Sequence, residues 1–492
     1  MPVPIPVIIE NRVTRVIASP GQLSEIREYF AYQPPGYRFS FKYKQGWWNG
    51  FVYLLKQSRV PTGLFLEQYR EVHKDGRYKF TLSKDERLTP RFTEDYRPDL
   101  KERISGRYSF QGDCVEAMMK ASRCGGLVLA ATGTGKTDLT GLYFSRLQGT
   151  GVFVVDELTL LKQAHDNIQN VLQEEVGWLG EGCINLRRIT VATAQTLQRN
   201  LDNPAYRDWL RSRDVVILDE VHLAINDRSK AIVKTISPKA VFGLTATLEM
   251  EKPHIRMEAA ALCGPVIFRF PLKEGIDAGV LSRSVALIVR YRNPTLRMEA
   301  RKAYGQYISN NAARNRCIVS LVNASQKLGM STVVLVRRRP HLWQLDKMLK
   351  LPHVALCGLS PRADRIQAQE QMESGKLRII LSSEIFAKGI NIKALNLVID
   401  ASGVPGTNAA QQRHGRGTRR KENKEGLIHV DISDYDGRFA AAAEKREAAL
   451  KAMGVPTVRV NWQAEYSEED AERLLRMALD KLRSDGIKAG LA

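Results

Sequence analysis

A short glycine-rich segment, ATGTGKT at 131–137, constrains the fold of this chain more than any other feature. It follows the apolar run LVLAA and precedes a stretch with helical periodicity. A glycine loop between a strand and a helix N-terminus lets backbone amides approach phosphates, and this arrangement is typical of α/β sheets. The usual first glycine of the pattern is replaced by Ala130. The segment therefore predicts an α/β fold that binds a nucleoside triphosphate.

The side chains of this loop have predicted roles in binding ATP and Mg²⁺. Lys136 is expected to bridge the β- and γ-phosphates, and the hydroxyl of Thr137 is expected to ligate Mg²⁺. The rest of the loop would cradle the phosphates with its backbone, and comprises Thr132, Gly133, Thr134 and Gly135.

Two neighbouring carboxylates follow a second apolar run. Asp219 and Glu220 come directly after VVIL and open the sequence DEVH. Because the carboxyl ends of strands form the ligand edge of an α/β sheet, Asp219 is expected to hold Mg²⁺, directly or through water. Glu220 is expected to polarise the attacking water. The alternative is that both carboxylates are solvated turn residues.

Short β-branched runs alternate with helical stretches in two successive parts of the chain. The runs are near-continuously apolar, as in strands of parallel sheets. In the first part they are LVLAA, GVFVV, RRITVAT, DVVILDE and AVFGLTAT, and in the second SVALIV, STVVLV, RIILSS, LNLVIDA and LIHVDI. We predict an α/β protein with two tandem domains of similar fold and parallel sheets.

Composition places the domain boundaries. Residues 1–82 form a small aromatic and basic unit, and residues 83–100 form a polar linker with two prolines. Residues 101–270 and 271–435 are the two α/β domains, of which the first binds ATP. Residues 436–492 form a helical tail. Within it, SEED at 467–470 predicts a helix start, and apolar residues at helical spacing follow (Leu474, Leu475, Ala478 and Leu482).

The charge balance favours a polyanionic partner. The chain of 492 residues has 74 basic and 53 acidic residues, a net charge of +21. Neutralising phosphates releases counterions, so this excess favours nucleic acid over a merely basic protein. The six cysteines are scattered, which predicts neither a metal site nor disulfides. No long apolar run indicates secretion or membrane insertion, so a cytoplasmic protein is expected. The sequence does not determine the oligomeric state, and a monomer is favoured.

The N-terminal unit combines aromatic and basic residues. Between Tyr29 and Leu66 there is no Asp or Glu. The alternation in YRFSFKYK predicts a half-buried strand with its rings in the core and its bases outside. For the outer face we favour nucleic-acid contact over simple solvation. The candidate contacts are Arg38, Lys42, Lys44, Trp48 and Arg59.

Together these motifs resemble superfamily 2 helicases and translocases, whose motors consist of two RecA-like domains. Phe110 and Gln111 look like the adenine-reading Q element, with Arg107 nearby. ITVATAQTL (189–197) is similar to motif Ic, which implies that Thr193 and Gln195 face the backbone of a nucleic-acid strand.

Further segments resemble coupling motifs of the same superfamily. GLTAT (243–247) is similar to the motif that couples hydrolysis to movement, which implies such a role for Thr245 and Thr247, with His222 of DEVH. SSEIFAKGINI (382–392) looks like motif V, which implies a nucleic-acid contact for Ser383 and a coupling role for Gly389. It departs from the family where acidic residues are common, at Lys388 and Asn391.

A cluster of arginines at 412–420, QRHGRGTRR, offers groups that could reach the same γ-phosphate from the second domain. It resembles the QxxGRxxR element of the superfamily. By that resemblance Arg416 and Arg419 are arginine fingers and Gln412 senses the γ-phosphate, so that the two motifs line one cleft. The alternative is that the cluster only binds nucleic acid, a role we keep for Arg413 and Arg420. Arg337, in the run 337–339, is either a phosphate contact or a solvated loop residue.

Two segments indicate the subgroup. GYRFSFKYKQGWWNGFVYLLKQSRVPTGL (36–64) resembles the small N-terminal DNA-binding domain of UvsW-type phage branch-migration helicases. GPVIFRFPLKEGIDAGVLS (264–282) is similar to the inter-domain segment of UvsW and XPB-like helicases. The resemblance implies an α+β N-terminal domain and an ATP- and Mg²⁺-dependent DNA helicase. Such an enzyme would remodel forked or four-way DNA in replication, recombination or repair, in the host cytoplasm for a phage protein.

Three other functions remain open. An RNA helicase is disfavoured because the N-terminal match is to a DNA remodeller and DEVH is not the DEAD form. The motor of a restriction-type system is disfavoured because no nuclease signature is found. A non-catalytic clamp that uses ATP only as a ligand is disfavoured by Lys136, Glu220 and Arg416.

Overall fold

The computed structural model describes residues 1–291, 304–383, 392–403, 407–421, 424–435, 437–462 and 467–487. The chain consists of two compact units. The first contains Met1–Ala130 and Gly135–Phe270, and the second contains Ala131–Thr134 and Pro271–Ala492. Both are built on mainly parallel sheets flanked by helices, which confirms the predicted α/β class.

The N-terminal part of the first unit is a small α+β subdomain. Its four-stranded sheet has the order β5-β2-β1-β6, and β3 pairs with β4 separately. The strands are β1 (Val3–Ile9), β2 (Val13–Val16), β3 (Ala31–Tyr32), β4 (Val52–Tyr53), β5 (Arg59–Pro61) and β6 (Tyr78–Asp85). The helices are α1 (Pro20–Ile26), α2 (Phe41–Lys44) and α3 (Thr62–Asp75). Ile5, Val7, Phe30 and Leu64 are among the side chains of its core, to which Met257 and Ala260 of the helix at Pro253–Leu262 also contribute.

The segment YRFSFKYK is not a strand, so that prediction is wrong. Tyr37–Phe39 forms a 3-10 turn and α2 follows it as a single helical turn. Gly36, Gly46 and Gly50 have φ values of 73°, 71° and 87°, which L side chains rarely adopt. These tight turns fold the segment back on itself. The alternating aromatic residues therefore do not form an extended strand. Several of its rings face solvent instead of a core.

The N-terminal subdomain packs directly on the first large sheet's helical layer. The guanidinium of Arg12 donates to the carbonyl oxygens of Cys124, at 2.9 Å, and Leu262. A Cβ placed on Gly63 would lie 2.2 Å from the carbonyl oxygen of Ala260. Glycine is therefore required in the PxGL sequence at 61–64, because any side chain there would collide with the helix that carries Ala260.

The larger part of the first unit is an eight-stranded sheet with the order β10-β9-β11-β8-β12-β13-β7-β14. Its strands are β7 (Gly125–Ala130), β8 (Gly151–Val155), β9 (Gly177–Gly180), β10 (Cys183–Asn185), β11 (Ile189–Thr193), β12 (Val215–Leu218), β13 (Ala240–Thr245) and β14 (Val266–Phe270). All pairs are parallel except β9 with β10. Each of the five strands predicted for this part is present.

Nine helices belong to this sheet within the described residues. They are α4 (Pro98–Arg103), α5 (Ser109–Lys120), α6 (Lys136–Arg146), α7 (Leu158–Leu172), α8 (Ala194–Arg199), α9 (Pro204–Arg211), α10 (Val221–Ala224), α11 (Asp227–Ile236) and α12 (Pro253–Leu262). The strand order places β13 between β12 and β7. The segments that follow these three strands therefore meet at one edge of the sheet.

The second unit is built on a seven-stranded parallel sheet with the order β17-β18-β16-β19-β20-β15-β21. Its strands are β15 (Ser284–Tyr291), β16 (Thr332–Val336), β17 (Val354–Leu356), β18 (Ile379–Ser383), β19 (Leu397–Asp400), β20 (Leu427–Asp434) and β21 (Thr457–Asn461). Its helices are α13 (Leu272–Asp277), α14 (Ala312–Lys327), α15 (Arg339–Met348), α16 (Arg362–Glu373), α17 (Thr407–Gly417), α18 (Gly437–Ala452) and α19 (Glu468–Ile487). The five strands predicted here are also present.

The C-terminal segment was predicted to be a helical tail, but it also contributes a strand to the sheet of the second unit. β21 joins the sheet beside β15 in parallel register. The amide of Asp470 donates to the Ser467 hydroxyl at 3.3 Å, and the Asp470 carboxylate accepts from the Ser467 amide at 2.9 Å. This confirms the predicted start of α19. Its apolar face is buried in the core of the second unit, as predicted (Leu474, Leu475, Ala478 and Leu482). Among the described residues, no helix combines the length and apolarity that a membrane crossing needs.

Candidate functional site

The loop after β7 has the geometry of a phosphate cradle. Gly133 and Gly135 have φ values of 91° and 81°, in the left-handed region that favours glycine. The Thr134 hydroxyl donates to the Ala131 carbonyl oxygen at 2.8 Å and closes the turn. Because Gly135 caps α6 without a side chain, the first amides of α6 face the loop. The loop thus fits the anionic phosphates of a nucleotide.

Lys136 begins α6 beside the loop. Its ammonium lies 3.3 Å from the carbonyl oxygen of Ala130. Burial raises the pKa of the Asp219 carboxyl, and the nearby charge of Lys136 partly opposes this rise. The loop lysine and the carboxylate after β12 are therefore neighbours, as the two sequence motifs predict. Thr137 follows in the first turn of α6 and is partly exposed.

Glu220 has a strained backbone. Its φ of 45° places it in the left-handed region, unusual for a residue with a side chain. The amide of Glu220 donates to the Asp219 carboxylate at 3.0 Å, and the amide of Asp219 donates to Val154 at 2.9 Å. Such strain costs about 1–3 kcal/mol and is typical of functional sites. It directs two consecutive carboxylates to the edge where the loop lies.

Glu220 is linked to the end of β13 through a short polar network. His222 Nδ1 lies 3.3 Å from Glu220 Oε2 and 3.0 Å from Thr245 Oγ1. Thr245 Oγ1 lies 3.4 Å from the same carboxylate oxygen and accepts from the Thr247 amide at 3.1 Å. The structure thus brings together His222, Thr245 and Thr247, three of the four residues expected to couple hydrolysis to movement; the fourth, Gly389, lies outside the described residues.

The Asp219 carboxyl is poised for a cation. Burial raises its pKa to about 7, and the neighbouring Glu220 carboxylate adds to this effect. Lys136 and His222 lower the pKa by less. A buried carboxylate whose charge the protein compensates only partly and a threonine hydroxyl in the first turn of α6 are both hard oxygen donors, the type of ligand that fits Mg²⁺. Asp219 and Thr137 would hold the ion, which supplies charge neutralisation at the phosphates.

Replacing Asp219 by Asn is expected to stabilise the nucleotide-free protein at pH 8. The folded-state pKa lies above the ordinary value, so the folded state keeps this proton between about pH 4 and 7 while the unfolded state loses it. The contribution of Asp219 to stability therefore falls as pH rises through this window, and above it the folded protein carries a poorly compensated charge. We expect Asp219→Asn to raise the melting temperature by roughly 2–4 °C at pH 8.

Thermal unfolding without nucleotide or Mg²⁺, at pH 5.5 and pH 8, measures this effect. The increase should shrink at pH 5.5. In addition, Mg²⁺ should raise the melting temperature of the unaltered protein at pH 8 but not that of Asp219→Asn. An equal change at both pH values would contradict the assignment.

The residues of the predicted Q element lie on and before α5. Gln111 is buried, and its amide nitrogen would lie 2.8 Å from a Cβ on Gly135, so it abuts the phosphate loop. The Phe110 ring is also buried and stacks on Phe270 at 3.9 Å between centroids. One face of this ring is therefore covered by protein. Arg107 is exposed, and its guanidinium lies 5.0 Å from the Tyr108 ring.

The residues of predicted motif Ic lie at the carboxyl end of β11. The Thr193 hydroxyl is buried and caps α8, because it accepts from the Thr196 amide at 3.3 Å. This position differs from the expected contact with a strand's backbone. Gln195 is exposed in the first turn of α8.

Helix α17 carries residues 412–417 of the QRHGRGTRR element and is anchored by a buried ion pair. The Arg413 guanidinium donates to the Asp400 carboxylate at 2.6 Å and to the Ser402 hydroxyl at 2.9 Å. Both charged side chains are almost fully buried. Although burial alone would raise the Asp400 pKa, Arg413 holds it well below its ordinary value. Arg413 therefore positions α17, which does not fit the nucleic-acid contact expected for it.

The Arg413–Asp400 pair belongs to a buried polar network that the sequence did not reveal. Arg446 pairs with Asp431 at 2.7 Å, and burial lowers the pKa of His429, which lies close to both carboxylates. By their spacing, Asp400, His429 and Asp431 could together hold a metal ion. The two guanidinium groups already balance the two carboxylates, so the network is better explained as a structural anchor of α17, β19, β20 and α18.

The other predicted residues of the second unit lie in several places. Arg419 is half-buried just after α17, and its carbonyl oxygen accepts from Ser282 at 3.2 Å and Lys424 at 3.0 Å. Arg337 is exposed after β16, with its guanidinium 6.0 Å from the Tyr304 ring. Ser383 is buried at the end of β18. Gln412 and Arg416 lie on α17 with side chains outside the described part, and Lys388, Gly389 and Asn391 lie outside the described residues.

The basic candidates of the N-terminal subdomain are on its surface. Arg38, Lys42, Lys44 and Arg59 are exposed. Trp48 is only partly exposed, and its indole donates to the carbonyl oxygen of Phe51 at 2.7 Å. Trp48 therefore braces the local turn, while the charged side chains remain accessible to a polyanion.

Three protein families match successive parts of this chain. "DNA helicase UvsW, N-terminal" matches residues 12–83, "Type III restriction enzyme, res subunit" matches 106–250, and "Helicase conserved C-terminal domain" matches 313–421. Together they cover the N-terminal subdomain and parts of both α/β units. The matches contain the phosphate loop, the DEVH sequence and the QRHGRGTRR element up to position 420.

Two curated relatives align along most of the chain. The ATP-dependent DNA helicase uvsW of Enterobacteria phage T4 is 22% identical over 454 residues, covering 86% of this chain and 89% of the relative. The DNA 3'-5' translocase XPB2 of Sulfurisphaera tokodaii is 22% identical over 394 residues, covering 71% and 86%. The solved structure of S. cerevisiae Dbp5 bound to RNA and ADP BeF3 superposes with a TM-score of 0.56 at 14% identity, covering 79% of this chain and 97% of that one. This structural likeness shows the fold alone.

Proposed function

We propose that this chain, which belongs to the superfamily 2 helicases and translocases of the UvsW and XPB type, uses ATP hydrolysis to remodel branched DNA. The expected reactions are branch migration, fork regression and unwinding of forked or four-way substrates. The observation that carries the motor part is the clustering of the phosphate loop, Asp219, Glu220 and Thr245 at one sheet edge.

The chemistry at this edge is that of nucleotide hydrolysis. Mg²⁺ bound with ATP neutralises phosphate charge. Lys136 would hold the phosphates, and Asp219 and Thr137 would fix the ion. Glu220, held by His222 and Thr245, would accept a hydrogen bond from the attacking water and orient it. Because Thr245 also contacts Thr247, a change at Glu220 can reach the segment after β13.

Branched DNA as the substrate is supported by the N-terminal subdomain and by charge. Residues 12–83 match the N-terminal domain of a DNA helicase, and the subdomain exposes Arg38, Lys42, Lys44 and Arg59. The net charge of +21 favours a polyanion. One of the two relatives is named a DNA helicase and the other a DNA translocase. A monomer bound to double- and single-stranded segments of one branch point is our working assumption.

The proposed function predicts a clear order of substrates. A fork, a four-way junction, a plain 3'-tailed duplex and a structured RNA of equal length would be compared for stimulation of ATP hydrolysis and for strand products resolved on native gels. We expect the fork and the four-way junction to stimulate hydrolysis most and to be converted only with ATP. Lys136→Ala, which loses the phosphate contact, should convert none. Stronger stimulation by RNA, or stable cleavage of DNA, would contradict the proposal.

A further inference from the structure

The excursion between β3 and β4 is a compact, prefolded loop. The Trp47 amide donates to the carbonyl oxygen of Lys42 at 2.9 Å, and the Phe51 amide donates to the side-chain oxygen of Asn49 at 3.1 Å. Together with the Trp48 indole bond to Phe51, these contacts close the GWWNG turn at 46–50. The pairing of β3 with β4 holds both ends of the excursion together. Its outer side chains are thus presented from a fixed backbone.

Two tyrosines and a glycine form the inner layer of this loop. The Tyr37 and Tyr43 rings meet edge to face at 5.0 Å. A Cβ on Gly50 would lie 2.6 Å from the Tyr37 ring, and Gly50 has a φ of 87°. Glycine at this position therefore lets the chain pass directly beneath the two rings, which packs the loop without the side chains of Phe39, Phe41 and Trp47.

The outer layer consists of three rings that point to solvent. Phe39, Phe41 and Trp47 are 82%, 64% and 73% exposed. Phe41 and Trp47 contact each other edge to face at 5.6 Å. We call these three residues the ring platform. Large aromatics on a rigid exposed loop contribute little to the core, and such a cluster marks a surface that binds something.

The charges around the ring platform specify the chemistry of its ligand. Arg38, Lys42 and Lys44 are interleaved with the three rings and are exposed. No acidic residue occurs between Tyr29 and Leu66. An apolar protein partner needs no such excess of positive charge, whereas a ligand with both flat apolar faces and phosphates requires rings and bases side by side. Single-stranded nucleic acid has these two features.

We propose that the ring platform stacks on unpaired bases of a DNA strand, with Lys42 and Lys44 against its phosphates. This inference rests on the proposed function, in which a branch point is the substrate, and it names the part of the branch that the N-terminal subdomain holds. Base faces are hidden within a duplex and accessible in a single strand. The platform therefore distinguishes the unpaired segment at a branch from its paired arms.

The test compares binding of a fork with an unpaired arm and a blunt duplex by fluorescence anisotropy, over a series of salt concentrations. The variant combines Phe39→Ala, Phe41→Ala and Trp47→Ala. Leu82→Ala, which removes an aliphatic side chain that is 61% exposed on β6 of the same subdomain, is the matched control. The ring variant should bind the fork about 10- to 100-fold more weakly, with duplex binding unchanged within about 2-fold. Its melting temperature should match that of the control.

The salt dependence separates stacking from charge. Removing rings should leave the slope of log K against log salt unchanged. The combination of Lys42→Ala and Lys44→Ala should reduce that slope for a single strand by about 1.4. Unchanged fork affinity in the ring variant, or an equal loss for fork and duplex, would overturn the proposal.

A single-stranded oligonucleotide of thymidines distinguishes failure of this inference from failure of the proposed function. If the unaltered protein binds fork and duplex equally, the proposed preference for branched DNA is wrong. The ring platform is then judged on the oligonucleotide alone: loss of its binding in the ring variant supports stacking, and full retention overturns it.

Discussion

Arg416→Ala is expected to lower the turnover number for DNA-stimulated ATP hydrolysis by about 10³–10⁵-fold, or roughly 4–7 kcal/mol of transition-state stabilisation. The prediction comes from the QRHGRGTRR element, in which Arg416 is proposed to neutralise charge on the transferred phosphoryl group. It lies on α17, one turn after Arg413, whose buried pair with Asp400 fixes the helix in the second unit. A guanidinium on an anchored helix has less freedom to lose when it acts.

Steady-state hydrolysis at saturating DNA and nucleotide measures this loss, with DNA binding measured separately. Arg420→Ala is the matched control, because Arg420 is exposed on the same segment and donates to the Gly279 carbonyl oxygen at 2.8 Å. It should change turnover by less than about 3-fold. If Arg416→Ala instead loses DNA binding while bound complexes turn over normally, Arg416 is a nucleic-acid contact. Arg413→Ala cannot replace it, because it would leave the Asp400 charge buried without its partner.

The ATP-binding edge could be predicted from sequence because its signals are local. The phosphate loop, Asp219 and Glu220 each follow directly on an apolar strand, and a parallel sheet brings such strand ends together. Each motif could therefore be recognised from neighbouring residues, and the parallel sheet then predicted that motifs far apart in the sequence lie close together. The start of α19 was predictable for the same reason, since its cap is formed by Ser467 and Asp470 three residues apart.

Features that depend on distant partners were not predictable. Arg413 looks like an exposed base in the sequence, because nothing nearby identifies Asp400 as its buried partner on β19. The rings of 37–44 alternate as in a strand, but the chain there forms a 3-10 turn and the short helix α2, and glycines turn it at positions 36, 46 and 50. Similarly, β21 is short and only its pairing with β15 makes it part of the sheet.

Glu220→Gln is expected to lower ATP turnover by about 10²–10⁴-fold while retaining ATP binding. The substitution keeps the length and shape of the side chain and removes only its negative charge. Gln can adopt the same left-handed backbone with similar strain, so the fold of the DEVH segment should persist. The amide oxygen of Gln can still accept a hydrogen bond from His222 or Thr245. It accepts a proton from water far less readily than a carboxylate does.

Three measurements on Glu220→Gln distinguish loss of a base from loss of structure. The dissociation constant for a fluorescent ATP analogue and the melting temperature should stay close to those of the unaltered protein, while single-turnover hydrolysis falls. Glu251→Gln, at an exposed carboxylate shortly after β13, is the matched control and should hydrolyse normally. Unchanged hydrolysis in Glu220→Gln would refute the assigned role.

The polar network adds a second expectation for the same variant. Because Thr245 contacts both Glu220 and Thr247, and Gln at position 220 can keep the contact with Thr245, the link from this position to the segment after β13 should persist in the variant. A protein that binds ATP but cannot hydrolyse it should therefore remain in its ATP-bound state, and its DNA complexes should dissociate more slowly with ATP than without. Equal dissociation rates would mean that Glu220 acts on water alone and that the network from His222 to Thr247 does not transmit the nucleotide state.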